Sequence, residues 1–564
     1  ARQGPEPWTW AHAAALRSTV PTPRSSIPVR TRRRGNPSNL ETAGTCTPYP
    51  HHHATRTPPG CRGRSDGMVR RHRQLGHTTN SSTGNDNNLA ARSGHANHNV
   101  VHNAADLDHK LDFELIRDGA ATNPANWQDY AKNTPWHITY PNVDVRVDIG
   151  TVNLPAVLNA RYGNDIPLSA LQNPSTPAVG EIWAATQFEM TAGKEKPGTV
   201  SAVDGNNWQV TRKVALPAIK MNNPHNMWTD RDQNVIYVTQ WFDKKLTVYD
   251  RKTGTLIRNV SVGEAPAHVM TLTDTDKLHI TNNGDTRTDS VMELSPLATQ
   301  VLRRVDIGRG NAHAHWMSHD GKTMVTPNVL SGDTTQFNFR TNTIDAILPV
   351  SGHFSHPLAT GMMPDASKYY VANLLDSTIT VVDMTSHTVL KHINLIEHYN
   401  PVSGAISGPV GALPVQTPVS PDGKNMVTAN TLTGTITIVD TRPDLATTDE
   451  VVAMLPCDPG CHGVQYGAKK GGGYYAYVTS KFSNRMLVID PDPNGDGDPS
   501  DARIAGKVGL FAASATAMDD RIAANPGMGG QGILPIPLVY NGWVQNLPAV
   551  WRNQLTPAQQ DPIK

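Results

Sequence analysis

The sequence has almost no net charge and no long apolar run. Its 564 residues carry a formal charge of +1 at pH 7, with an isoelectric point near 7.9, so no broad electrostatic field is expected to attract nucleic acid or an acidic membrane face. No apolar run reaches about 18 residues, so we expect no membrane-spanning helix. The first residues lack an initiating Met and the order of a signal peptide, so we expect any export signal to be already removed or never present.

Lysine is absent from residues 1–109, which contain many arginines and clusters of Pro, Ser, Thr, Asn and His. Such a composition buries too little apolar surface to offset chain entropy, and it predicts a disordered or extended polar segment. His51–His53 could bind a metal, but a solvated polar tract is the favoured interpretation. Cys46 and Cys61 also lie here, and the sequence does not fix whether they pair.

Residues 110–179 have mixed character and predict an irregular lead-in that wraps the following domain. Within and just before this stretch, DLDHKLDFELIRD favours a short helix and VDVRVDIGTV favours a strand.

A repeated four-strand unit dominates the rest of the chain. The clearest copy, Met221–Gly263, contains the strands VIYVTQW, KLTVYD and TLIRNVSV after a histidine-bearing entry. Further copies begin near Pro266, Asn311, His356, Val415 and Cys457. An incomplete copy (EIWAATQ, TVSAVD, WQVTRKVAL) precedes them.

Spacings of roughly 40–50 residues are typical of propeller blades. We therefore predict an all-β fold, a seven-bladed β-propeller with four-stranded blades, over residues 180–545, followed by a C-terminal tail over residues 546–564. The incomplete blade needs a strand from elsewhere to remove its open edge, and either LPIPLVYNGWVQ or VDVRVDIG is expected to supply it.

The second strands read VIYVT, KLHIT, KYYVAN, NMVTAN and YAYVT, and several third strands end in aspartate. In these features the sequence over residues 180–510 resembles the YVTN-repeat (YncE-type) seven-bladed propellers. The resemblance implies the fold but not an activity.

Histidines recur at the entry of the innermost predicted strand. His225, His268 and His313 lie 14, 13 and 13 residues before the threonine that closes the second strand. Equivalent positions of successive blades converge on one mouth of the propeller axis. The remaining candidate ligands lie near the same point: His315, His353, His356 and His462.

Several neutral imidazoles around one cavity form a good nitrogen-ligand set, and the affinity order favours copper. We expect Asn223, Asn226, Asn311 and Asp285 to fix the ring tautomers. The alternative is that each histidine merely hydrogen-bonds to the backbone of a loop.

A propeller with axial histidines is similar to the catalytic domain of nitrous oxide reductase and to thiocyanate dehydrogenase. This resemblance implies a multinuclear copper site whose ligands are His225, His268, His313, His356 and His462. The sequence lacks the Asp-x-His-His pair before the blades and the dicopper cysteine loop after them. Nitrous oxide reduction is therefore not expected.

The segment PCDPGCHG holds Cys457 and Cys461. A haem c attachment site normally has two residues between its cysteines, and here there are three, so haem c is not favoured. A disulfide, which would imply an oxidising compartment, is the leading interpretation. Thiolate ligation of copper remains open.

The acidic segment DPDPNGDGDPSD matches the spacing of a calcium-binding loop. The candidate calcium ligands are Asp490, Asp492, Asn494, Asp496 and Asp501. A solvated acidic hairpin is an equally good interpretation.

Two classes of function follow. The first is a periplasmic or extracellular copper oxidoreductase that acts on a small inorganic nitrogen or sulfur substrate such as thiocyanate. In it, Glu264, Asp285 or Asp333 would move protons, and a cytochrome c or cupredoxin would accept electrons. The second is a non-enzymatic propeller that serves as a binding module. A homodimer is compatible with either class.

Overall fold

The structure is a computed structural model. It describes residues 114–117, 136–140, 145–148, 173–189, 198–214, 221, 223–241, 243–350, 355–400, 407–458, 460–481, 485–510 and 527–563. All of these residues belong to one compact unit, Gln74–Lys564. The expectations for residues 1–109 therefore lie outside the described residues, as does the candidate ligand His353.

A three-stranded antiparallel sheet comes first in the described chain, with the order β1 (Glu114–Arg117), β2 (Trp136–Tyr140) and β3 (Val145–Asp148). The helix expected over DLDHKLDFELIRD is wrong at Glu114–Arg117, because these residues pair with β2 and the tertiary partner overrides the local pattern. The strand expected in VDVRVDIGTV is confirmed at Val145–Asp148. It pairs with β2 rather than with an incomplete blade.

The other strands form seven sheets arranged as a β-propeller, which confirms the predicted fold. Their bounds in chain order are β4 (Glu181–Glu189), β5 (Thr199–Asp204) and β6 (Val210–Val214) in blade 1; β7 (Pro224–Thr229), β8 (Val235–Gln240), β9 (Lys245–Asp250) and β10 (Leu256–Ser261) in blade 2; β11 (Pro266–Thr271), β12 (Leu278–Asn282), β13 (Val291–Leu294) and β14 (Val301–Val305) in blade 3; and β15 (Trp316–Met317), β16 (Thr323–Asn328), β17 (Asp333–Asn338) and β18 (Thr343–Pro349) in blade 4.

The remaining blades follow the same plan. Their bounds are β19 (Pro357–Met362), β20 (Lys368–Asn373), β21 (Thr378–Asp383) and β22 (Thr388–Asn394) in blade 5; β23 (Asn425–Asn430), β24 (Thr435–Asp440) and β25 (Glu450–Pro456) in blade 6; β26 (Cys461–Ala468), β27 (Tyr474–Ser480), β28 (Arg485–Asp490) and β29 (Arg503–Gly509) in blade 7; and β30 (Gly527–Ile536), which is the innermost strand of blade 1.

Burial within a blade explains why these sequences fold this way. The two inner strands of blade 2 are buried along their whole length, whereas its outermost strand β10 alternates between exposed and half-buried residues. Inner strands pack against the neighbouring blades on both faces, so they need apolar or hydrogen-bonded residues throughout. An outer strand has one face in water and therefore alternates.

Blade 6 has an irregular innermost segment. Two isolated bridges, Pro414 to Asn430 and Val419 to Met426, take the place of a continuous ladder beside β23. Proline has no amide hydrogen to donate, so the prolines of this segment interrupt the ladder.

Strand β30 closes the ring by pairing antiparallel with β4. The segment LPIPLVYNGWVQ supplies only the end of this strand, because pairing begins earlier, at Gly527. After β30 the chain forms two short helices, α1 (Ala549–Arg552) and α2 (Pro557–Gln560). Among the residues that the structure describes, no helix is long and apolar enough to cross a membrane.

At the start of each of blades 2 to 7, one residue has a left-handed backbone conformation. Its carbonyl oxygen accepts a hydrogen bond from the backbone N–H of the residue directly after the second strand of the same blade. Asparagine and glycine adopt this conformation more readily than most residues. The entry residues are Asn223, Ala265, Asn311, His356, Leu413 and Gly460.

Candidate metal centre on the propeller axis

Three buried imidazoles meet on the axis. One ring nitrogen each of His225, His268 and His313 lies within 4.8 Å of the others. The ring centroids are 5.2–5.5 Å apart in all three pairs. In the described part of the chain, no other three His, Cys, Asp or Glu side chains approach in this way. These three residues therefore form a group that could hold one metal ion.

Strand pairing, rather than sequence spacing, decides which histidines are equivalent. In blades 2, 4 and 7, one residue of the innermost segment pairs with the last residue of the second strand. The residue directly after it is a histidine: His225, His313 and His462, respectively. We call this the axial position. His268 lies one residue further along its strand, because Pro266 is the paired residue in blade 3.

The residue count in the sequence treated His225, His268 and His313 as equivalent positions. This is wrong for His268, which lies one residue past the axial position, although the three rings do converge. The innermost strands of blades 2 and 3 each contain a β-bulge. The bulges let the axial position of blade 2 and the position after it in blade 3 both face the central channel. His462 seemed shifted in the sequence only because β26 and β27, with 8 and 7 residues, are longer than the 6-residue strands β7 and β8 of blade 2.

Main-chain carbonyls orient two of the rings. The Nδ1 of His225 hydrogen-bonds to the carbonyl oxygen of Ala267 at 3.0 Å, and the Nδ1 of His313 hydrogen-bonds to that of Leu358 at 2.8 Å. A carbonyl can only accept, so Nδ1 carries the proton and Nε2 carries the lone pair. Both carbonyls belong to the axial position of the next blade. The expected role of asparagines and Asp285 in fixing these tautomers is wrong for both rings.

Burial keeps the imidazoles neutral. It lowers the pKa of His225 and His268 well below the usual 6.5, and the neighbouring rings lower both further. Burial also lowers the pKa of His313 to about 3. A neutral imidazole is the form that binds a metal, so protons do not compete for these nitrogens at pH 7.

Two residues that the sequence interpretation missed lie beside the group. The Trp241 ring stacks on His225, with centroids 4.7 Å apart and planes at 26°. Lys481 is buried, and burial holds its pKa well below the usual 10.5. It is close enough to lower the pKa of both His225 and His462. Trp241 and Lys481 each come directly after the second strand of their blade. This shared position in the repeat is the sequence signal that could have identified them as neighbours of the histidines.

Threonines of the second strands tie neighbouring blades together at the centre. Thr239 donates its hydroxyl hydrogen to the carbonyl of Ala267 at 2.7 Å and accepts the amide of Asn226 at 3.0 Å. Thr281 makes the corresponding bonds to His313 and His268. These repeated bonds explain why threonine recurs in the second strand, and they fix the spacing of the histidine-bearing strands.

Two glycines allow the closing strand to reach the group. A Cβ atom on Gly532 would lie 2.5 Å from the His225 carbonyl oxygen, and one on Gly463 would lie 2.0 Å from the Gln531 carbonyl oxygen. Any larger residue would push apart the strands that carry His225 and His462.

Several solved structures match the chain at low identity. Hydrazine synthase of Kuenenia stuttgartiensis is 15% identical, with a TM-score of 0.44 over 58% of this chain and 98% of that chain. A putative 6-phosphogluconolactonase of Bacteroides uniformis is 16% identical, with a TM-score of 0.44 over 63% and 99%. A protein from Lactobacillus plantarum is 12% identical, with a TM-score of 0.46 over 63% and 98%.

The likeness is one of fold. These identities and scores say nothing about the activity of this chain. No protein-family model matches the sequence, and no curated protein does.

Beside His268 lies a small cavity of about 30 Å³. Its polar lining comes from Asn226, His268, His315, Gln416 and Gln465, together with threonines. His268 thus belongs both to the three-imidazole group and to the cavity wall.

Aromatic residues from the C-terminal segment back the far side of this cavity. Trp228 and Trp316 line the cavity. Trp543 packs edge-on against Trp228 with centroids 5.5 Å apart, and Tyr540 packs edge-on against Trp316 at 5.2 Å. The end of LPIPLVYNGWVQ therefore supports the cavity lining, a role that the repeat pattern could not reveal.

The other candidate histidines that the structure describes do not join the group. His462 is buried, with its ring centroid 6.5 Å from that of His225. His315 faces the cavity. His356 is the left-handed entry residue of blade 5, so its place in the fold differs from the axial position.

The three carboxylates expected to transfer protons, Glu264, Asp285 and Asp333, do not line the cavity. Glu264 pairs with Lys244. Asp285 accepts hydrogen bonds from the guanidinium groups of two arginines, Arg287 and Arg304.

Asp333 is held in a similar way. It accepts hydrogen bonds from Arg309, Asn328 and Ser331. Such bonds stabilise loops and blade edges, so these carboxylates are structural partners rather than cavity groups. Sequence alone could not separate acidic residues near a predicted mouth from ion-pair partners.

Cys457 and Cys461 are joined by a disulfide bond. In this state neither sulfur is a thiolate, so neither ligates copper or carries a haem here. The bond immediately precedes His462 and fixes the start of β26.

The acidic segment that begins at Asp490 does not gather its carboxylates around one point. No three of the described acidic side chains share the short mutual distances seen for the histidines. Asp490 pairs instead with Lys469 at 2.8 Å. Asp492 accepts the amides of Gly495 and Gly497 within the turn.

Proposed function

We propose that this protein is a copper-dependent oxidoreductase whose metal is held on the propeller axis by His225, His268 and His313. Its substrate is a small inorganic nitrogen or sulfur compound such as thiocyanate. The observation that carries the proposal is the approach of three buried, neutral imidazoles to within 4.8 Å of one another.

The donor set suits copper. Imidazole nitrogen binds copper, zinc, iron and nickel, and the affinity order of divalent metals places copper highest. Carbonyl partners already fix two ring orientations, a feature that the outer shell of metal sites commonly supplies. No carboxylate lines the adjacent cavity, so harder cations such as magnesium or calcium are disfavoured there.

A bound copper ion would supply one-electron redox chemistry. The protein supplies the rest: the three imidazoles position the ion, the Trp241 ring supports His225, and the buried surroundings exclude bulk water. The neighbouring cavity is small, about 30 Å³, which suits a substrate of a few atoms.

The Cys457–Cys461 bond fits an oxidising compartment, so we place the protein in the periplasm or outside the cell. A cytochrome c or cupredoxin is the electron carrier that fits this location. A homodimer is a further part of the proposal.

Elemental analysis and electron paramagnetic resonance of the purified full-length protein test the proposal. Wild type should keep copper after dialysis and show a nitrogen-coordinated Cu(II) spectrum. His268→Gln should lose most of the copper, whereas His392→Gln, at an exposed histidine of β22, should keep it. If all three preparations lack metal, the oxidoreductase proposal fails and a non-enzymatic binding module is left.

A further inference from the structure

The closing strand β30 brings one more polar side chain to the propeller axis. We infer that Gln531 is a further ligand of the axial metal centre and that it binds copper through its side-chain oxygen. The inference rests on the proposed function, in which His225, His268 and His313 hold copper. It names the group that blade 1 contributes to that site.

Strand pairing gives Gln531 the place that histidine occupies in blades 2 and 7. In each of these three blades, two residues of the innermost strand form a bulge between residues that pair with the second strand. The first bulged residue is Gln531 in blade 1, His225 in blade 2 and His462 in blade 7. Because side chains at the same point of the same bulge project on the same side of their strands, Gln531 faces the axis as the two imidazoles do.

The carbonyl group of Gln531 makes the contact that belongs to this place in the repeat. Thr479, in the second strand of blade 7, donates its hydroxyl hydrogen to this carbonyl at 2.7 Å. Thr239 of blade 2 makes the same bond, also at 2.7 Å, to Ala267, which is the first bulged residue of blade 3. The bond between neighbouring blades therefore holds the backbone of Gln531 where it holds the other axial strands.

The backbone of Gln531 lies between the strands that carry His462 and His225. A Cβ atom on Gly463 would lie 2.0 Å from the Gln531 carbonyl oxygen, and one on Gly532 would lie 2.5 Å from the His225 carbonyl oxygen. The ring centroids of His225 and His462 are 6.5 Å apart. A side chain that leaves the intervening strand toward the axis therefore enters the space that these rings border.

The side-chain amide of Gln531 is buried without a hydrogen bond. The residue is 0% exposed, and neither Oε1 nor Nε2 has a partner in the part of the chain that the structure describes. Buried polar groups are normally hydrogen-bonded, and an unpaired one costs free energy. An unpaired amide at the axis therefore points to a ligand that pairs with it. The other buried glutamines of the described residues each have a partner: Gln233, Gln240, Gln336, Gln465 and Gln559.

The amide oxygen of Gln531 suits a metal that is held mainly by imidazoles. A carboxamide is neutral, so it adds no charge to the buried site, and its nitrogen end can only donate hydrogen bonds. The oxygen is therefore the end that ligates. A glutamine oxygen serves as a weak axial ligand in some copper sites, beside stronger donors. Three imidazoles leave such a position open.

Copper titration of the metal-free, full-length protein against a competing chelator tests this assignment, together with electron paramagnetic resonance of the copper-loaded form. Gln531→Leu removes the donor at similar volume. Gln531→His places a further imidazole at the point of the bulge where blades 2 and 7 have theirs. Gln336→Leu is the matched control, because Gln336 is also buried but hydrogen-bonds to His387 and Tyr369.

Gln531→Leu should bind copper about tenfold more weakly than wild type, with changed g and copper hyperfine values. Gln531→His should bind copper at least as tightly as wild type. In thermal unfolding of the metal-free protein, Gln531→Leu should melt at the wild-type temperature or above it, because it removes an unpaired buried amide. Gln336→Leu should melt at a lower temperature and bind copper as wild type does.

The same copper affinity and spectrum in wild type and Gln531→Leu would overturn the assignment of Gln531 and leave the copper site standing. A metal-free Gln531→Leu that melts as far below wild type as Gln336→Leu does would also overturn it, because the amide would then be a structural partner. If wild type itself binds no copper, the proposed function fails and the assignment fails with it.

Discussion

The indole of Trp241 lies face to face with the imidazole of His225, with ring centroids 4.7 Å apart. Together with the Nδ1 hydrogen bond to Ala267, this stack holds the His225 ring in one orientation. Metal binding then requires no reorientation of the ring, so its free energy is not reduced by lost side-chain freedom.

Replacing Trp241 should weaken copper binding without touching a ligand. An aromatic pair contributes roughly 0.5–1.5 kcal/mol beyond its burial, so Trp241→Ala should lower copper affinity by about tenfold or less. Trp241→Phe keeps a stacking ring and should stay near wild type. Competition with a chelator measures both affinities. Equal affinity of Trp241→Ala and wild type would show that the stack does not position His225.

Fluorescence provides a second check on the same contact. The chain has 11 tryptophans, so the Trp241 signal must be taken as the difference between wild type and Trp241→Phe. Copper should quench this difference signal more strongly than it quenches the fluorescence that remains in Trp241→Phe, because Trp241 contacts the His225 ring directly.

Gly532→Ala should disturb the metal site from the opposite side. The new methyl group would lie 2.5 Å from the His225 carbonyl oxygen, which forces the innermost strand of blade 2 to move. We expect copper affinity to fall by more than about tenfold, together with a lower melting temperature. Chelator competition and thermal unfolding measure the two effects.

Gly495→Ala is the matched control for that variant. Gly495 has a φ of 77° and open space around its Cβ position, so alanine there costs backbone strain without a clash. It should lower stability and leave copper affinity unchanged. If both variants lower copper affinity equally, the effect of Gly532→Ala reflects stability alone.

Acid should destabilise the metal-free protein through its buried imidazoles. The pKa of His313 is about 3 in the folded chain and 6.5 when unperturbed. Between these values the unfolded chain binds a proton that the folded chain does not, so the free energy of unfolding falls as the pH falls. The slope is about 1.4 kcal/mol per pH unit for each such imidazole.

Urea unfolding at pH 7, 6 and 5 measures this slope. The slope for His313→Gln should be smaller than that of wild type by up to about 1.4 kcal/mol per pH unit. Parallel slopes in wild type and His313→Gln would contradict burial of a neutral ring at this position.

Asp458 should be a main determinant of blade 7 stability. Its carboxylate is fully buried and binds Arg485 through one oxygen and Lys507, at 2.8 Å, through the other. Asp458→Asn removes the buried carboxylate that Arg485 and Lys507 share, and breaking a buried ion pair costs roughly 3–5 kcal/mol. Urea unfolding should show a loss of this size.

The exposed pair of Lys391 and Glu450 is the comparison. Glu450→Gln should change the free energy of unfolding by at most about 1 kcal/mol, because surface ion pairs contribute little. An equally small loss in Asp458→Asn would mean that water reaches the blade 7 pair.

The repeat period and the apolar strand pattern were enough to predict the propeller, because each blade repeats one local pattern of burial. Ring closure by the C-terminal side could be predicted as one of two options. The choice between them depended on which strand could reach β4, and VDVRVDIG found a local partner in β2 instead.

The candidate site was less accessible to sequence reasoning. Counting residues brought His225, His268 and His313 to one mouth of the axis, but bulges and the longer inner strands of blade 7 decide the true register. Lys481 could not be found by composition, since a buried amine looks like an ordinary surface residue until the fold places it.

The late position of strand β30 bears on biogenesis. Blade 1 is built from segments near residues 181–214 and 527–536, and Gly532 packs directly beside the His225 backbone. A nascent chain that has emerged only as far as blade 7 still holds an open ring with an unsupported first ligand strand. Insertion of the proposed copper would therefore follow synthesis and docking of the last strand, so a metallochaperone would encounter a closed ring rather than a growing polypeptide.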